Sequence, residues 1–108
     1  MADEIVLFIT AGSDDEAATI ARTLVNEHLV ACANIISGVR SVFFWEGATQ
    51  DEPEALIVLK SRLPLMDKII PRVKELHSYS EPEVIALPIV SGSRSYLDWI
   101  GEVTRKAE

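Results

Sequence analysis

Two residues of this sequence carry side chains suited to binding a soft or borderline metal ion. Cys32, the single cysteine, supplies a thiol, which copper(I) or mercury accepts as a ligand. His77 supplies an imidazole, and Tyr79, Glu81 and Glu83 place a phenol and two carboxylates close after it in the chain. Cys32 and His77 are therefore candidate ligands for a divalent or soft cation.

Both residues also have a purely structural explanation. A free thiol is often buried as a small hydrophobe, and a histidine that follows a helix interacts well with the negative end of the helix dipole. The sequence has no Cys-x-x-Cys, His-x-His or His-x-x-x-His motif that would complete a site around Cys32 or His77. A full set of ligands would therefore require donors from more than one subunit.

The remaining charged candidates have two readings each. Lys60 ends an apolar stretch, so it either extends to solvent or contacts an anion in a cleft. Asp51, Glu52 and Glu54 form an acidic cluster without the spacing of a calcium-binding loop, which favours a solvated turn.

Composition narrows the class of protein. A chain of 108 residues, 48% of them hydrophobic, is predicted to fold as one globular domain over residues 1–108, with no apolar run of the ~18 residues that cross a membrane. A net charge of −7 argues against passive binding to nucleic acid or to an anionic membrane. The single cysteine and an N-terminus without a basic flank predict a cytoplasmic protein without a signal peptide.

Hydrophobic patterning predicts an α+β protein of the ferredoxin-like, split βαβ type, with a four-stranded antiparallel sheet and two helices on one face. Strands are expected at Ile5–Thr10, Val30–Trp45, Ala55–Ser61 and Val84–Leu87, with a bulge or bend at Ser37-Gly38 and a polar turn over residues 46–52. Helices are expected from Ser13 or Asp14 to about His28, from Pro64 to about Leu76 with a kink or restart at Pro71, and around Tyr96–Val103.

The second strand is too long for a domain of this size. Its sixteen residues would extend roughly 50 Å at ~3.3 Å each, whereas the radius of gyration of such a domain is only about 13 Å. Its far end, Val42-Phe43-Phe44-Trp45, would leave an exposed apolar edge on a monomer. Helices on one face also leave the other face of an apolar sheet without cover, so we expect subunits to associate.

Three segments in order closely resemble the CutA family of divalent-cation tolerance proteins. They are residues 29–36 (LVACANII), 38–47 (GVRSVFFWEG) and 75–88 (ELHSYSEPEVIALP), and the resemblance extends from Ile5 to about Ile100. It implies a ferredoxin-like subunit in a tight homotrimer, similar in architecture to PII signalling proteins.

The resemblance also implies roles for individual residues. Cys32 and His77 match the family positions associated with copper and other divalent metals. Four further residues match positions near the clefts between subunits: Trp45, Lys60, Tyr79 and Glu83. This chain differs from the family pattern at two positions. Ser78 stands where the family commonly has proline, and Pro71 falls in a helix that is usually unbroken.

The leading hypothesis is therefore a homotrimeric cytoplasmic protein that binds divalent cations, copper foremost, and takes part in metal tolerance. The alternative is a PII-like signalling or scaffolding trimer that binds a small anionic molecule between subunits through Lys60, His77 and Tyr79. Residues 37–44 (SGVRSVFF) bear a weak similarity to the acylphosphatase motif. Because the loop after the first strand, Ala11-Gly12-Ser13, has no phosphate-binding arginine, we do not expect an enzyme.

Overall fold

The computed structural model describes residues 3–107. Its four strands form one antiparallel sheet in the order β2-β3-β1-β4, and the helices connect or follow them. In chain order the elements are β1 (Glu4–Ala11), α1 (Asp14–Asn26), β2 (Cys32–Trp45), β3 (Ala48–Arg62), a 3₁₀ turn (Leu63–Leu65), α2 (Met66–Leu76), β4 (Val84–Pro88) and α3 (Arg94–Arg105). This confirms the predicted ferredoxin-like split βαβ architecture.

The main core lies between the sheet and the first two helices. Alternate residues of β1, such as Leu7 and Ile9, are fully buried, because successive side chains of a strand point to opposite faces. Ile20 of α1 and Ile69 of α2 belong to the same buried cluster. A local hydrogen bond fixes the start of α1. The Ser13 hydroxyl accepts from the Glu16 N–H at 3.1 Å and caps the helix.

The opposite face of the sheet is only partly covered. The α3 helix packs there, since the Arg62 Nε donates to the Thr104 hydroxyl at 2.9 Å and Ile100 is fully buried outside the main core. Farther along the same face, Ile85 and Leu87 of β4 remain about half exposed. The expectation of an entirely uncovered face was therefore wrong for the part beneath α3 and correct beyond it.

The long hairpin projects as predicted, but its turn is much tighter than expected. Only Glu46 and Gly47 form the turn, and both have positive φ (51° and 80°), as in the two-residue turns that match strand twist. Residues 48–54 belong to β3, where they pair with the far half of β2, so the predicted polar turn over residues 46–52 was wrong. The hairpin gives the molecule its long dimension of 43 Å against 26 and 22 Å.

Two expected irregularities have different outcomes. The bulge in β2 is confirmed, because the pairing register shifts between Ile36 and Val39 and Gly38 adopts a φ of 76° that favours glycine. Of the kink or restart expected at Pro71, the restart was wrong, since α2 continues through it from Met66 to Leu76. Burial of Ile69 and Val73 on either side of Pro71 holds the helix against the sheet despite the missing N–H.

Candidate functional site

Cys32 lies on the sheet face that α3 partly covers, next to other polar side chains. Its sulfur is 3.6 Å from the Tyr96 hydroxyl and 4.0 Å from the Asn34 Oδ1. The hydrogen bond with the thiol, together with burial, raises the pKa of the Tyr96 phenol. Lys60 is the register partner of Cys32 and donates to the same Asn34 oxygen at 2.5 Å. Lys60 is thus a neighbour of the thiol.

His77 is a well-bonded residue of the protein interior. Its side chain is fully buried, with the Nε2 2.7 Å from the Thr10 carbonyl oxygen and the Nδ1 accepting from the Tyr79 N–H at 3.0 Å. Because a carbonyl can only accept and an amide N–H can only donate, Nε2 carries the proton. A metal ion could bind either ring nitrogen only after one of these hydrogen bonds breaks.

The structure does not bring Cys32 and His77 together. Cys32 lies in the row of the sheet that contains Lys60 and Val6, whereas His77 is bonded to Thr10, four residues farther along the same strand. Four residues of a strand extend about 13 Å. Within residues 3–107, no group of three or more His, Cys, Asp or Glu side chains is placed to hold a metal ion.

Three of the four predicted cleft residues do meet, in a groove of about 740 Å³. Trp45 lines it from the hairpin, and Tyr79 and Glu83 line it from the segment between α2 and β4. The hairpin also contributes Glu52 and Glu54, which lie on the same side of β3 because they are two residues apart. The groove is therefore acidic and partly aromatic, and Lys60 is not among its lining residues.

Tyr79 connects the two walls of this groove. Its hydroxyl donates to the Glu54 Oε2 at 2.8 Å. Burial, this hydrogen bond and the nearby carboxylates raise the pKa of Tyr79 to about 12. Burial, followed by the charge of Glu54, also raises the pKa of Glu83. Negative charge is thus concentrated in a partly desolvated space.

A carboxylate of α1 positions the segment that carries Tyr79. The two side-chain oxygens of Glu16 accept from the Gly12 N–H at 3.2 Å and the Ser78 N–H at 2.7 Å. Burial acts to raise the pKa of Glu16, but the hydrogen bonds from Ser78 and Gly12 and the proximity of His77 outweigh it and lower that pKa. Glu16 therefore links the loop after β1 to the loop after α2.

Glu52 and Glu54 were not predicted to belong to a site. Their available signal was the two-residue spacing of Glu52 and Glu54, which places both on one face if the segment is a strand and not a turn. Asp51, the third member of that acidic cluster, points away and forms an ion pair with Arg40 at 2.7 Å. The cluster is thus divided between the two faces of the hairpin.

The fold and the groove define a class of protein, a ferredoxin-like domain with a projecting apolar hairpin beside an acidic groove. The family model of the CutA1 divalent ion tolerance protein matches residues 5–103. The chain belongs to this family. Within the described range, no helix has the length and apolar character needed to span a membrane.

Individual relatives agree with this assignment. The divalent-cation tolerance protein CutA of Thermus thermophilus is 45% identical over 101 residues, which cover 94% of this chain and 98% of that protein. Its solved structure superimposes with a TM-score of 0.91 at 44% identity, covering 94% and 98% of the two chains. CutA1 from Oryza sativa has a TM-score of 0.92 at 39% identity, with 96% and 95% covered.

Proposed function

We propose that the chain works as one domain, assembles as a cytoplasmic homotrimer and binds divalent cations, copper foremost, in a role connected to metal tolerance. The family provides the class of function, because its members are named as tolerance proteins. The observation that carries the metal assignment is the free Cys32 thiol with two oxygen atoms within 4.0 Å. Copper is the preferred metal because thiolate ligands favour it.

The two proposed ligands have different roles in this hypothesis. Cys32 is the primary ligand, since its sulfur is half-buried and takes part in only weak hydrogen bonds. His77 is a secondary ligand, which binds metal only when its ring gives up Thr10 or Tyr79. Because the described part of one chain lacks a complete set of ligands, the remaining donors come from solvent or from a second subunit.

Copper titration against a competing chelator tests this assignment. We expect Cys32→Ser to lower copper affinity at least tenfold and His77→Gln to lower it less, because the imidazole must first break a hydrogen bond. The matched control is Ser41→Ala, which removes a different polar group from the same strand. Unchanged stoichiometry and affinity in both ligand variants would show that the acidic surface alone attracts the metal.

The proposed trimer is supported by the exposed apolar side chains of the hairpin. Phe44 is 71% exposed and Val42 64% exposed on β2, which is an edge strand. An apolar edge of this kind favours pairing with another chain. We expect light scattering to give three times the chain mass of 11.9 kDa, and a mass near a single chain would contradict the proposal.

The cytoplasmic location rests on the sequence alone. Relatives are named from more than one compartment, including a chloroplastic protein of Arabidopsis thaliana and a periplasmic protein of Archaeoglobus fulgidus. The proposed cytoplasmic location of this chain is supported by its single cysteine, which has no partner for an internal disulfide. Fractionation of the host cells with a cytoplasmic marker tests it.

The alternative of an anion-binding, PII-like trimer gains less support. Trp45, Tyr79 and Glu83 share one groove, but its lining includes four glutamates and no Lys, Arg or His. A small anion would be repelled there, so we expect no rise in melting temperature when nucleotides are added. We also expect no turnover of acyl phosphates, in line with a non-enzymatic tolerance protein.

A further inference from the structure

We draw no further inference here: the strongest candidate, the polar cluster of Cys32, Lys60 and Tyr96 on the sheet face beside α3, rests on a single thiol that belongs to the metal site already proposed, and nothing else within residues 3–107 points to another ligand there.

Discussion

Removing the Glu16 carboxylate should loosen the loop that carries His77 and Tyr79. Glu16 accepts hydrogen bonds from two separate loops, through Gly12 at 3.2 Å and Ser78 at 2.7 Å. Its side chain is 19% exposed, so water replaces these bonds poorly. A hydrogen bond to a charged group contributes about 1.5–3 kcal/mol, and the longer Gly12 bond belongs at the low end of that range.

We therefore expect Glu16→Ala to lower the free energy of unfolding by about 3–4.5 kcal/mol. Glu16→Gln should cost about half as much, because its single carbonyl oxygen can serve only one of the two loops. Urea denaturation at a fixed protein concentration measures both values. Asp15→Ala is the control, since it removes a carboxylate from the same helical turn without breaking either contact between the loops.

The same residue predicts a pH dependence. The folded protein holds the pKa of Glu16 below its usual 4.5, so the carboxylate contributes its full stability above that pH. This contribution is lost as pH falls through the lowered folded pKa. The difference between the parent protein and Glu16→Gln should therefore shrink under acid conditions. A difference that does not change between pH 7 and pH 3, or a Glu16→Ala cost equal to that of Asp15→Ala, would refute the reasoning.

Three further substitutions test other features. Pro71→Ala should stabilise the protein by about 1–3 kcal/mol in urea denaturation, because it restores a helical N–H inside α2. Gly12→Ala should lower the melting temperature, because the new methyl carbon would lie 3.2 Å from the Tyr79 hydroxyl that bonds Glu54. Phe44→Ser should reduce the mass seen by light scattering, whereas Val90→Ser, at an equally apolar and 93% exposed loop position, should not.

The main features of the fold were predictable because the hydrophobic pattern of each element agrees with its place in the fold. The alternation of buried residues in β1 and the helical spacing in α1 each require the same apolar side chains to face one core. The extent of β3 was not predictable from its residues. Asp51 and Glu52 are poor strand formers, and pairing with β2 outweighs that preference.

The candidate sites depend more on register than on residue type. Cys32 lies opposite Lys60 only because the bulge at Gly38 and the Glu46-Gly47 turn fix the alignment of β2 with β3. A shift of one residue would place the thiol on the opposite face. The sequence alone determines neither the geometry of the bulge nor the length of the turn. The separation of Lys60 from the groove could therefore not be predicted from it.

The pairing of β2 with β3 also explains why several carboxylates of this acidic chain are concentrated in one groove. As a solvated turn, residues 46–52 would hold their carboxylates in water, where neighbouring charges interact weakly. In β3, Glu52 instead lies on one wall of the groove with Glu54, and the segment after α2 brings Glu83 to the other wall. The raised pKa of Glu83 reflects that burial and the charge of Glu54. A net charge that first indicated only general attraction for cations thus becomes a groove with a defined spacing of charges.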